Sequence, residues 1–310
     1  MNQSLITGSS GFVGTNLCIY LKDHTKMVSL VRNKVDNDLV SESVLYDEFW
    51  NNKDWSFKNY IHLAGKAHDL KNISDESEYF KVNYELTKRL YKRFLEDDHA
   101  QTFIFISSVK AVADTVEDIL DENVTPSPVT AYGRSKLKAE ECILDNLPKD
   151  KTVIILRPCM IHGPGNKGNL NLLYSIVNKG IPWPLGNFDN QRSFLTIDNL
   201  VYVIKEILEG KLESGVYNIA DDEPLSTSEL VELMAELNGS KPKIWNVPKS
   251  VIKVIAKIGN KLPFPLDEER LEKLTENYLV SNEKLKFSLG IKMMPTDSRD
   301  GMIKTLKSFN

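Results

Sequence analysis

Apolar and polar positions along this chain repeat with two periods, and the two take turns. Thr102-Phe-Ile-Phe-Ile106 and Thr152-Val-Ile-Ile-Leu156 are short continuous apolar runs rich in β-formers, the pattern of strands covered on both faces. Met27 to Val31, Val44 to Tyr46 and Tyr60 to Leu63 read as further strands. Residues 2–7 read as a first strand, made unusually polar by Gln3 and Ser4. Between these runs the spacing becomes helical. Phe12, Val13, Leu17, Tyr20 and Leu21 mark one helix; Phe80, Val82, Leu86, Leu90 and Phe94 mark a long one over residues 74–98. Pro126 and Pro128 punctuate a loop before a third, which carries Tyr132 and stops at Pro148. Strand–helix alternation to about residue 157 predicts an α/β fold, a doubly wound parallel sheet with crossover helices.

Beyond Gly165 the rhythm changes. A helix over Leu170–Val177, a proline-rich turn over Gly180–Gly186 and a short strand feeding a helix over 191–209 follow. Val216 to Ala220 is another strand, and Ser226-Thr-Ser-Glu229 is a capping box before Leu230, Val231, Leu233 and Met234. Residues 241–310 read as mostly helical, with a strand near Tyr278 to Val280. We expect a dinucleotide-binding domain over 1–165, to which 191–222 return, and a smaller C-terminal lobe over 166–310 that closes over the strand ends.

Composition narrows the class. The chain has 310 residues, 41% apolar and 26% charged, with a net charge of −4 and both signs interspersed. No basic face or stripe suggests a nucleic-acid partner. Cys18, Cys142 and Cys159 form neither a disulfide framework nor a zinc pattern. No basic–apolar leader and no apolar stretch of the ~20 residues a membrane span needs is present. The expectation is a cytoplasmic protein without a metal or a membrane span.

Candidate chemistry sits at the strand ends. Gly8, Gly11 and Gly14 recur in Thr7-Gly-Ser-Ser-Gly-Phe-Val-Gly14, between the first strand and first helix. A strand, glycine turn and helix in that order suit a pyrophosphate, because missing Cβ atoms allow close approach and the helix end offers N–H donors. The spacing is G-x-x-G-x-x-G rather than the usual G-x-G-x-x-G. After the second strand comes Arg32-Asn33-Lys34, with no carboxylate until Asp36. An arginine there suits the 2′-phosphate of NADP, an acid the ribose of NAD. The small pair Ala64-Gly65 ends another strand. Tyr132 and Lys136 stand four residues apart, on one helix face. A nearby cation favours the phenolate and lowers the tyrosine pKa, giving a group able to move a proton at an alcohol or ketone. Ser108, at a strand's carboxyl end, could bond the same oxygen.

Taken together, Thr7–Gly14, Leu63-Ala-Gly65, Ile106-Ser-Ser108, Tyr132-x-x-x-Lys136, Arg157-Pro158…Gly163-Pro164 and Arg192-Ser193-Phe194…Asp198 resemble the extended short-chain dehydrogenase/reductase family, and within it the nucleotide-sugar epimerases and reductases. The resemblance runs from residue 1 to about 235 and continues more weakly to the end. It implies a Rossmann sheet with a C-terminal substrate-binding lobe. Gly8, Gly11, Phe12, Val13 and Gly14 would line the cofactor pyrophosphate and Asp47 the adenine. Leu63, Ala64, Gly65 and Pro158 would border the cofactor, and Asn83 would sit behind the active site. Ser108, Tyr132 and Lys136 would be the catalytic triad, Lys136 also binding the nicotinamide ribose. Arg192 would meet the substrate diphosphate, with Asn169 a second substrate contact. The implied partners are a UDP-sugar and a second copy of the chain, paired through the 74–98 and 130–147 helices. Arg32 stands where NAD users carry an acid, so NADP is expected, with NAD the alternative. Leu86 stands where members commonly have glycine.

The residues after Ser108 separate the family's reactions. Members that dehydrate at C4–C5–C6 carry Asp-Glu there, decarboxylating members a glutamate, and C3/C5 epimerases a cysteine. This chain has Val109-Lys110. Cys159 and His162 are read as packing and turn residues. Hydride transfer at C4 remains, by a UDP-4-keto-6-deoxyhexosamine 4-reductase of surface polysaccharide synthesis or by a UDP-hexose 4-epimerase. A reading of another class is a non-catalytic NADP sensor on the same fold.

Overall fold

The computed structural model describes residues 3–34, 38–66, 75–166, 168–260 and 267–309. Along the first half run β1 (Gln3–Thr7), α1 (Phe12–Leu21), β2 (Lys26–Val31), β3 (Glu42–Leu45), α2 (Tyr46–Asn51) and β4 (Asn59–His62). Then α3 (Glu76–Tyr79), a π-helical segment (Phe80–Glu85) and α4 (Leu86–Glu96) follow without a break, before β5 (Thr102–Ile106). A 3-10 turn (Val109–Ala111), β6 (Ile119–Leu120), α5 (Ala131–Leu144), β7 (Thr152–Pro158) and β8 (Met160–His162) complete that half.

Seven strands form one parallel sheet in the order β10-β7-β5-β4-β1-β2-β3, where β10 is Gly215–Ile219, returning from the second half of the chain. Period-2 alternation builds the core. Phe103 and Phe105 of β5 join Val153 and Ile155 of β7 on one face; Ile104, Ile106, Ile154 and Leu156 fill the other. Both faces are covered, which favours apolar residues at the central positions of these strands. The polar start of β1 has a local explanation. Ser4 is fully buried, but its hydroxyl meets Thr25 Oγ1 at 3.1 Å and accepts from Asn59 Nδ2 at 3.0 Å. Strand order reverses between β1 and β4, opening a crevice outside their carboxyl ends, where open α/β sheets bind ligands.

Further along the chain come α6 (Asn169–Asn178), β9 (Phe194–Thr196), α7 (Ile197–Leu208), α8 (Thr227–Leu237) and α9 (Lys249–Gly259); α7 packs into the core of the sheet, and the other helices make a smaller lobe. The chain ends with α10 (Glu268–Thr275), β11 (Leu279–Val280), α11 (Glu283–Leu289) and α12 (Ser298–Lys307). The expected capping box forms: Ser226 Oγ accepts from Glu229 N at 3.1 Å, and Ser226 N donates to Glu229 Oε2 at 2.6 Å. A separate apolar cluster of α6, α8, α9, α10 and α12 residues holds this lobe together. It is tied to the first domain by two small parallel pairings, β8 with β9 and β6 with β11. The expected third strand is shifted: Val44 and Leu45 are in β3, but Tyr46 and Asp47 open α2, since Glu48 turns back to accept from Leu45 N at 3.2 Å.

Candidate active site

Tyr132 is positioned by the start of its helix. Thr130 caps α5, its hydroxyl oxygen accepting from Gly133 N at 3.2 Å. Asp114 holds that cap, accepting from Thr130 Oγ1 at 3.0 Å, Thr130 N at 3.1 Å and Val129 N at 2.6 Å. Gly133 presses so closely on the turn after Ser108 that a Cβ there would lie 2.3 Å from Lys110 O. This packing sets the Ser108 hydroxyl near enough to the Tyr132 phenol to favour its ionised form. Ser108 Oγ also accepts from Lys110 N at 3.2 Å, which fixes its rotamer.

The electrostatics depart from the sequence-based expectation. Lys136 was expected to draw Tyr132 below its ordinary pKa. Burial instead pushes Tyr132 up, with the Ser108 hydroxyl opposing and Tyr79 adding to the rise. Burial also pulls Lys136 down to about 8, against the opposing pull of Glu140. The ammonium donates to Ile106 O at 2.8 Å and lies 4.8 Å from the centre of the Phe105 ring. The arrangement therefore holds Tyr132 protonated at neutral pH, as a proton donor.

The glycine positions form a cradle. Gly8 has φ +73, and Gly14 lies so near that a Cβ would sit 2.1 Å from Gly8 O. Gly11 caps α1 without a side chain, leaving the first-turn N–H groups facing the crevice end of β1. A Cβ on Gly65 would lie 3.1 Å from Lys136 Nζ and 3.1 Å from Asn83 Oδ1. The missing Cβ atoms thus let the loop after β1 fold tightly on itself and let Gly65 sit against Asn83 and Lys136, a backbone arrangement that suits close approach of a dinucleotide. Phe12 and Val13 open α1 half-buried, Phe12 packing near Gly163. Leu63 and Ala64 follow β4, and Pro158 ends β7. Arg32 is exposed at the end of β2, close enough to Tyr46 to act on its hydroxyl electrostatically. Asp47 is exposed in α2. Asp36 and the side chain of Asn169 lie outside the described residues.

Arg192 is not open. Its guanidinium donates to Lys273 O at 2.6 Å and to Glu276 Oε1 at 3.2 Å. Lys110 lies alongside, 4.1 Å from the centre of the Tyr278 ring, and donates to Asp114 O at 2.6 Å. Cys159 and His162 are buried packing residues; burial pushes the Cys159 thiol well above its usual value.

Two groups behind the site, Glu140 and His62, were not anticipated, and they join Asn83, which was expected there. Glu140 sits one turn beyond Lys136 on α5, 1% exposed at its side chain, and pairs with Arg157 at 2.5 Å while accepting from Ser107 Oγ. An arginine closing an apolar strand needs such a partner, and the Tyr-x-x-x-Lys-x-x-x-Glu spacing was the available signal. His62 is fully buried between Thr7 Oγ1 (2.7 Å) and Thr87 Oγ1 (2.9 Å). Thr87 donates to Asn83 O at 2.6 Å and Ala64 N donates to Thr7 Oγ1 at 3.0 Å, so Nε2 carries the imidazole proton. Asn83, in the π segment, exchanges bonds with the Lys66 backbone and donates to Ser135 Oγ at 3.0 Å. These contacts lock the ends of β1 and β4 to the two helices behind Tyr132. A separate cavity of about 470 Å³ at the amino end of β2, near Lys22 and Ser41, is remote from this chemistry.

The family model described as "NAD dependent epimerase/dehydratase family" matches residues 4–220. The UDP-glucose 4-epimerase of Vibrio cholerae is 32% identical, over 98% of this chain and 94% of its own. The GDP-6-deoxy-D-mannose reductase of Pseudomonas aeruginosa is 27% identical, over 76% of this chain and 81% of its own. Among solved structures, RMD from Pseudomonas aeruginosa complexed with NADPH shares the fold at a TM-score of 0.73 and 22% identity, covering 100% of this chain and 99% of that one.

Proposed function

The chain belongs to the NAD dependent epimerase/dehydratase family, and from that premise we propose that it is a UDP-4-keto-6-deoxyhexosamine 4-reductase using NADPH, in surface polysaccharide synthesis. As a nucleotide-sugar epimerase/reductase of the extended short-chain type it is an enzyme. The observation that carries the reductive reading is Arg32, exposed at the end of β2, where a guanidinium suits a 2′-phosphate. A phosphate-bearing cofactor that exchanges between turnovers fits net reduction.

When bound, the nicotinamide supplies the hydride for C4. Tyr132, held protonated by its surroundings, gives its hydroxyl proton to the sugar O4. Ser108 hydrogen-bonds the same oxygen and aligns it. Lys136, fastened to Ile106 O, would hold the cofactor ribose and supply positive charge there. Arg192 exchanges its Glu276 partner for the substrate diphosphate, a geometry a guanidinium fork matches. Val109 and Lys110, following Ser108, replace the Asp-Glu pair of dehydrating members and the cysteine of C3/C5-epimerising ones.

A second reading, UDP-hexose 4-epimerase, is favoured by the Vibrio cholerae relative that matches nearly the whole chain. Cofactor content separates the two. The reductase is expected to purify without firmly held NAD and to oxidise NADPH stoichiometrically with a UDP-4-keto sugar. Firmly bound NAD, with UDP-glucose and UDP-galactose interconverted and no net cofactor oxidation, would overturn it.

A further inference from the structure

We propose that α9 and the segment leading into it form a docking surface for an anionic lipid membrane. Among the described residues no helix is long and apolar enough to cross a bilayer, so the contact is with the surface.

Two faces of α9 are apolar, and the lobe uses only one. Ile252 and Ala256 are 2% and 0% exposed and pack into the second-lobe core. Val251, Val254 and Ile258 are 46%, 57% and 51% exposed. Their spacing of three and four residues sets them in one stripe. Lys253 and Lys257 stand beside that stripe, both exposed. Trp245, just before the helix, is 58% exposed.

Charge selects the occupant. From residue 237 to residue 260 the chain carries Lys241, Lys243, Lys249, Lys253 and Lys257 and no Asp or Glu, although the whole chain totals −4. Lysines beside an exposed apolar stripe, with a tryptophan nearby, are the arrangement of helices that lie in a membrane interface. Anionic headgroups attract such lysines. A second copy across a two-fold axis would bring a second Lys253 and Lys257 to the same small interface, with no acidic residue of the stretch to offset them. A nucleic acid would match the lysines but leave Val254 and Ile258 against a wet, polar partner.

The test is co-sedimentation of the full chain with vesicles of phosphatidylglycerol mixed with phosphatidylcholine, against phosphatidylcholine alone. Binding is expected only to the anionic vesicles, and it should fall as salt rises from ~0.1 M to ~1 M and the Debye length shortens from about 10 to about 3 Å. Lys253→Glu with Lys257→Glu should weaken partitioning at least about tenfold, and Val254→Ser with Ile258→Ser several-fold. Both double variants should keep wild-type circular dichroism and wild-type turnover of a water-soluble substrate. Lys22→Glu, remote in sequence from the patch, should leave binding unchanged. The proposal is overturned by failure to bind anionic vesicles, by equal binding to neutral ones, or by an equal loss in Lys22→Glu. A fall in solution mass caused by the Val254/Ile258 variant would also overturn it, since a second copy would then cover the stripe.

Discussion

Lys136 Nζ donates to the carbonyl oxygen of Ile106 across 2.8 Å, fastening the helix of Tyr132 to the end of β5. Because burial lowers the Lys136 pKa to about 8, the charge on this ammonium titrates just above neutrality. Reductive kcat/KM should fall as pH rises through about 8, where the cation is lost. A profile flat between about pH 7 and 9 would show that the Lys136 charge does not matter to turnover.

Gly133 is where α5 touches the turn after Ser108, with no room for a Cβ against Lys110 O. Gly133→Ala must therefore push Tyr132 away from Ser108. We expect kcat to fall by about 10²-fold, the usual result of misplacing a reacting group by ~1 Å. The protein should stay folded, since alanine favours helix. Wild-type kcat in this variant would mean that the Tyr132–Ser108 contact is dispensable.

His62 should leave a signature in stability. Burial, with Lys136 nearby, lowers its pKa from 6.5 to about 3. Between those values the unfolded chain binds the proton and the folded chain does not, so stability falls as pH drops through this window. The loss is at most about 1.4 kcal/mol per pH unit. Urea unfolding of wild type and His62→Gln at several pH values below 6.5 should show a shallower slope in the variant. Equal slopes would mean that His62 takes up a proton in the folded state.

The Glu140–Arg157 pair is buried on both sides. Glu140→Leu alone should cost about 3–5 kcal/mol, because it strands the guanidinium, whereas Glu140→Leu with Arg157→Met should recover most of that. Denaturant titration of the two variants decides this. A double variant as unstable as the single would place the loss in packing rather than in the stranded charge.

Glu276 competes with any anion for Arg192. Glu276→Gln should tighten UDP binding several-fold in calorimetry by freeing the guanidinium, while Arg192→Ala should weaken it. Unchanged affinity in Glu276→Gln would mean that Arg192 does not reach the diphosphate.

The sheet was legible from the chain alone because buried parallel strands leave an unmistakable apolar run, as in Thr102–Ile106. The glycine loop and the Tyr132/Lys136 spacing were legible for a related reason: both are local, set by neighbours within a few residues. What the amino-acid order could not express was contact between distant segments. It did not reveal that Gly133 packs on Lys110, that His62 bridges Thr7 and Thr87, or that Glu276 occupies Arg192. Nor could it weigh burial against a nearby cation, so a lowered Tyr132 pKa was expected where folding raises it. Periodicity and spacing determined the fold and the candidate chemistry. Tertiary packing decided protonation and geometry, because desolvation depends on everything that surrounds a group in space.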